Sequence, residues 1–111
     1  MESVYQVQIT EQAKQQIREI ARYIALELKD PDAALRLFDE LESSISSLSR
    51  LPGRIVLTDE EPWRSQGLHR MPVKHYLVYF WINESEHIVH VTAVIYHRRD
   101  QKRQLSKMEM K

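Results

Sequence analysis

Tyr76-Leu77-Val78-Tyr79-Phe80-Trp81-Ile82 is an unbroken apolar and aromatic run, and how it is read decides the fold. It is too short for a buried helix and rich in residues that favour strands, so it predicts a strand. With no polar residue at alternate positions, that strand has no wet face and is covered on both sides. The segments around it fit a meander. Leu68 to Val73 is a short strand whose Pro72 cannot donate to a ladder, which places it at an edge. Asn83-Glu84-Ser85-Glu86 makes a hairpin turn, and Ile88 to Tyr96, rich in β-branched residues, returns as the third strand.

Upstream the period changes. Ala13, Ile17, Ile20, Ala21, Ile24 and Leu28 recur at helical spacing after Thr10, a good N-cap residue, and predict a helix over about residues 11 to 29. Asp30-Pro31 restarts the chain as cap and first helical residue, and Ala34, Leu37, Phe38, Leu41, Ile45 and Leu48 carry a second helix to about Arg50. The two helices form an antiparallel hairpin. Before them, Tyr5, Val7 and Ile9 alternate with Gln6 and Gln8 as in a half-buried strand. Leu51-Pro52-Gly53 ends the second helix, and residues 54 to 66 have no clear period and are expected to be mostly loop. The fold class expected is α+β: one strand, a helical hairpin, then an antiparallel three-stranded meander. Residues 1 to 111 are expected to form a single domain, with a polar tail from about residue 101 that is partly helical or flexible.

Composition narrows the chemistry. The 111 residues contain no cysteine, which excludes disulfides, thiolate metal sites and cysteine nucleophiles. No apolar run approaches the roughly 20 residues that span a bilayer, and Met1 to Thr10 lacks the basic-then-apolar pattern of a signal peptide. A cytoplasmic protein with no membrane partner is expected. Lys plus Arg balance Asp plus Glu at 16 each, but residues 67 to 111 hold 8 basic against 4 acidic residues and all five histidines. Any attraction for a polyanion is therefore local.

Several stretches together resemble the RelE/ParE superfamily of toxins from type II toxin–antitoxin systems, the plasmid stabilisation family. They are Tyr5-Gln6-Val7-Gln8-Ile9-Thr10, the Ile-x-x-Tyr-Ile ending at Ile24, Asp32-Ala33-Ala34, Leu48 to Pro52, His75-Tyr76-Leu77-Val78-Tyr79 and the terminal His97-Arg98-Arg99-Asp100. The resemblance covers residues 4 to about 105. It implies a cognate antitoxin whose C-terminal segment wraps the toxin, and one of two targets. RelE-like members cut mRNA in the ribosomal A site, whereas ParE-like members poison DNA gyrase without a nuclease site.

Metal-free RNA cleavage needs a base, an acid for the leaving oxygen, and cations beside the phosphorane. The sequence offers His97, Arg99 and Arg70 for these roles, with Arg98, Lys74, His69 and His75 as substrate-binding groups, provided the strands bring them together on the sheet face away from the helices. No cofactor and no metal are expected. A glutamate from the loop, Glu60 or Glu61, could instead pair with His97 as in one nuclease branch, or simply face water. The nuclease pattern also departs here: Tyr76 or Leu77 stands where an arginine would be expected, and no tyrosine follows Tyr96. The expectation is thus a toxin acting by ribosome-dependent mRNA cleavage, with gyrase inhibition, or a non-toxic interaction module, as alternatives.

Overall fold

The computed structural model describes residues 4–110. Strand β1 (Gln6–Ile9) is followed by α1 (Glu11–Arg22), α2 (Pro31–Ser46), the meander β2 (His69–Val73), β3 (Tyr76–Asn83) and β4 (Ile88–Tyr96), and the short helix α3 (Gln101–Ser106). The sheet order is β1-β4-β3-β2, with β1 parallel to β4 and the other pairs antiparallel. This is the expected α+β plan, with the N-terminal strand joining the meander to make one mixed sheet.

The helices start where their caps require. Thr10 accepts a hydrogen bond from the Ala13 amide at 3.2 Å, and Asp30 accepts one from the Ala33 amide at 3.0 Å. Each satisfies a donor with no partner inside its helix. The first helix is shorter than its apolar spacing suggested, because its last turn widens into a π-helical turn at Tyr23–Glu27. There the Leu28 amide bonds the Tyr23 carbonyl. The turn then reverses through Lys29 at a φ of 54°, a left-handed position. The second helix tightens into a 3-10 turn at Ser47–Ser49.

Two cores lie on the two faces of the sheet. The larger holds Ala13, Leu37, Leu41, Ile45 and Leu48 from the helices against Val78, Phe80, Val89, Val91 and Val94. The smaller, on the far face, gathers Leu68, Tyr79, Ala93 and Ile95 around Leu105 of α3, with Trp63, Leu77, Met108 and Met110 at its rim. The β3 run is therefore buried on both sides, as its lack of alternation predicts. A bulge reconciles β4 with this arrangement: Tyr79 faces Ala93 while Phe80 faces Val91, so Thr92 is the extra residue. The phase shift sends Val91 and Val94 to the helices and Ala93 and Ile95 to the far face.

The chain from residue 101 packs across that far face. Leu105 is 1% exposed, the Tyr79 hydroxyl donates to Gln101 Oε1 at 2.9 Å, and Trp81 Nε1 donates to the Met110 carbonyl at 2.6 Å. Glu109 closes the path with reciprocal hydrogen bonds to the Gln12 side chain at the start of α1. Among the described residues, no helix is long and apolar enough to cross a membrane.

Candidate functional site

The seven candidate residues occupy two places and do not converge. Arg70 and His69 lie at the start of β2, where the loop before it adds a rudimentary outer strand. The Arg70 amide bonds the Val56 carbonyl at 3.0 Å, and the Thr58 amide bonds the Leu68 carbonyl at 2.9 Å. Lys74 and His75 form the β2–β3 turn, beside His97, Arg98 and Arg99 at the exit of β4. Arg70 stands opposite Tyr79, and Tyr79 opposite Ala93, four residues short of His97. The two groups are thus separated by about 13 Å along the strands.

At the first place the cation is already neutralised. Arg70 contacts Asp59 at 3.6 Å and Glu60 at 3.8 Å, and Glu60, 13% exposed, also accepts from the Thr58 hydroxyl at 2.7 Å. Tyr79 lies beneath this cluster, and burial, reinforced by the Glu60 charge, pushes its hydroxyl up to about 12. His69 stacks on Phe80 with ring centroids 4.9 Å apart, and its Nδ1 donates to the Ile55 carbonyl at 2.7 Å. A carbonyl only accepts, so the proton sits on Nδ1. The adjoining groove, about 770 Å³ and wide open, is bordered by Ile55, Val56, Asp59 and Arg64. Arg64 is itself within 3.9 Å of Asp59.

The pairing of Glu60 or Glu61 with His97 is not formed. Glu60 belongs to Arg70. Glu61 is exposed and accepts from the Ser65 amide and hydroxyl at 3.0 and 2.9 Å, bonds that hold its carboxyl below the usual range. Trp63 packs against the smaller core, as a core aromatic would.

The second place is built differently. Both the backbone amide of His97 and its Nδ1 donate to the His75 carbonyl, at 2.9 and 2.8 Å, which pins the β4 exit to the β2–β3 turn. The His75 and His97 rings lie 5.8 Å apart. His97 meets Tyr96 edge-on at 5.1 Å, and Tyr96 meets its cross-strand partner Tyr76 at 5.5 Å. Burial pushes the Tyr76 hydroxyl up, helped by charge repulsion from Tyr96 and Tyr23. Lys74, Arg98 and Arg99 are exposed around these rings, and none has an ion-pair partner among the described residues. Asp100, the nearest acid in sequence, instead caps α3 by accepting from the Arg103 amide at 3.2 Å. The sequence pointed to these cations and histidines, but nothing in local spacing showed that Tyr96 and Tyr76 complete the row of rings. Cross-strand register does that. Among the described residues no three His, Cys, Asp or Glu side chains gather as a metal site.

A third feature is apolar. The helical hairpin leaves Tyr23, Leu26, Leu28, Leu35 and Phe38 exposed, with Leu26 at 67% and Phe38 at 45%. Tyr23 and Leu26 line a shallow recess of about 250 Å³ with Glu19, Arg22 and Glu27.

A helical hairpin packed on a small mixed sheet, with apolar residues exposed along the helices, defines a small α+β domain. Residues 7–101 match the family model described as the ParE toxin of type II toxin–antitoxin systems, parDE, and the chain belongs to that family. No curated protein matches it. Similar solved structures include one chain of the chromosomal ParDE toxin–antitoxin system from P. aeruginosa, at 13% identity and a TM-score of 0.66, covering 85% of this chain and 97% of that chain. Another is one chain of the toxin–antitoxin complex RelBE2 from Mycobacterium tuberculosis, at 18% identity and a TM-score of 0.58, covering 84% and 98%. At these identities the likeness is one of fold.

Proposed function

We propose that this toxin acts by binding DNA gyrase, as ParE-like members do, rather than by cutting mRNA. The observation that carries this reading is the state of Arg70. The cation needed beside a cleaved phosphate is held by Asp59 and Glu60, about 13 Å along the sheet from His97. The sheet face on which the catalytic groups would have met is filled by Leu105 and the chain that follows it. A binding toxin needs neither an acid–base pair nor an open cleft. Its cognate antitoxin is the natural cover for Tyr23, Leu26, Leu35 and Phe38, since an apolar surface of this kind on a small monomer marks a protein contact.

The ribosome reading keeps one specific support, the adjacent His75 and His97 beside the unpaired Arg98 and Arg99. In it His97 and Arg99 would serve acid–base or phosphate roles, with Arg70 recruited only after its carboxylates let go. Side-by-side assays decide. Purified protein is expected to inhibit gyrase supercoiling and to leave mRNA intact on programmed ribosomes. Cleavage at the A-site codon with gyrase unaffected would overturn the proposal.

A further inference from the structure

The protein carries no net charge, yet its charges are unevenly placed. From Glu27 to Glu42 the hairpin has 6 acidic residues against 2 basic ones, whereas residues 97 to 107 have 5 basic against 1 acidic, and that one acid, Asp100, caps α3. All six acids of the hairpin are exposed, and among the described residues neither they nor Arg98 and Arg99 have an ion-pair partner. The topology sets the two regions side by side. The Thr10 amide bonds the Val91 carbonyl and Gln16 Oε1 accepts from the Val94 amide at 2.8 Å, so α1 runs along β4 and the turn into α2 comes up beside the β4 exit. Between them lies a seam of rings and apolar side chains: exposed Tyr23 and Leu26 on the hairpin side, Tyr76 and Tyr96, 5.5 Å apart, on the sheet side. Tyr23 is close enough for its charge to act on Tyr76.

We propose that this seam is the contact between two copies of the chain, related by a two-fold axis that passes through it. Such an interface uses the same patch on both partners, so the patch must complement itself. This one does: half a turn about the seam lays the acidic side of each copy, Glu27 and Asp32, against the basic side of the other, Lys74, Arg98 and Arg99. The charge match is made twice and fixes the register, while Tyr23, Leu26 and Tyr96 supply the apolar area withdrawn from water. A contact of hairpin on hairpin would instead set acid against acid, which opposes association. With no net charge on the chain, no long-range repulsion keeps the copies apart. The second copy and the antitoxin proposed above both need Leu26, so the two exclude each other. The inference rests on the charge pattern and the seam, and is independent of which target the toxin has.

The test is sedimentation equilibrium of the full chain, without antitoxin, over a range of protein and salt concentrations. Wild type is expected to show a monomer–dimer equilibrium that salt weakens. The double variants Glu27→Lys/Asp32→Lys and Arg98→Glu/Arg99→Glu should each stay monomeric where wild type dimerises, because each makes both contacts repulsive. An equimolar mixture of the two should dimerise again, since each then meets a partner of opposite sign. Leu26→Ser, which leaves every charge in place, should weaken the dimer about tenfold, and it reads the seam even if a charge reversal disturbs the fold. The proposal is overturned by wild type that is monomeric under all conditions, by charge-reversed variants that dimerise as wild type does, or by a mixture that stays monomeric. A dimer that survives both reversals and is lost in Leu35→Ser would be an apolar contact between hairpins, and overturns it as well.

Discussion

Arg70 and Glu60 form an ion pair at 3.8 Å in which the glutamate is nearly enclosed and the arginine about one-third exposed. An enclosed carboxylate that loses its cation keeps the cost of its burial, and Thr58 alone does not offset it. Arg70→Met is therefore expected to destabilise the fold by about 1–3 kcal/mol, and Glu60→Gln added to it should return part of that loss. A double-mutant cycle by urea denaturation measures the coupling. If the two single effects simply add, the pair has no structural role and Arg70 is available for other work.

Tyr79 gives the same cluster a pH signature. Its hydroxyl is raised to about 12 in the folded chain, while in the unfolded chain it titrates near 10. The folded state thus holds its proton through a range where the unfolded state has released it. Its contribution is fully present below pH 10 and is lost as pH climbs from 10 towards 12. Tyr79→Phe removes the ionisation and should flatten this part of the stability curve relative to wild type. Thermal unfolding at pH 8, 10 and 11 reads the difference in slope, and parallel curves for the two proteins would count against it.

Much of the fold was legible because its signals are local. Thr10 and Asp30-Pro31 mark helix starts by hydrogen-bonding chemistry that works within three residues, and Tyr76 to Ile82 announces two covered faces by composition alone. The bulge at Thr92 left no such mark: it depends on which β4 residue meets Tyr79, a matter of register between strands. The placing of the candidate residues was hidden in the same way. The cations can be named from the sequence, but whether Arg70 joins His97 depends on strand direction and on Asp59 and Glu60 of the preceding loop, which has no period to read. The row from Tyr76 to His75 likewise arises only across the β3–β4 ladder.

The tail is a structural member of the far face. Leu105 sits among Leu68, Tyr79, Ala93 and Ile95 and is almost wholly withdrawn from water. Truncating it to alanine loses transfer energy and leaves a cavity, which for buried leucines costs about 2–5 kcal/mol. Because α3 is only six residues long and cannot persist without its packing, Leu105→Ala should also free residues 101 to 110 to proteases while the helical hairpin stays protected. Limited proteolysis followed by mass spectrometry locates the cuts. Cleavage no faster than in wild type would mean that the Gln12 and Trp81 contacts hold the tail without its leucine.

The exposed apolar residues of the hairpin have the opposite profile, since removing them costs the isolated toxin little. Leu26 and Leu35 lie more than 60% open to water. Leu26→Ser and Leu35→Ser should therefore leave the melting temperature unchanged, as exposed positions away from caps and ion pairs usually do. Binding is another matter. If the antitoxin covers this surface, each leucine enters a desolvated contact on complex formation, and a buried anchor of that kind is worth about 2 kcal/mol or more, over tenfold in affinity. Titration calorimetry of each variant against the cognate antitoxin measures this directly. Co-expression gives a cellular readout, because a toxin its antitoxin no longer holds should arrest growth where wild type is silenced. Unchanged affinity in both variants would place the antitoxin elsewhere and leave the hairpin's apolar surface without its proposed partner.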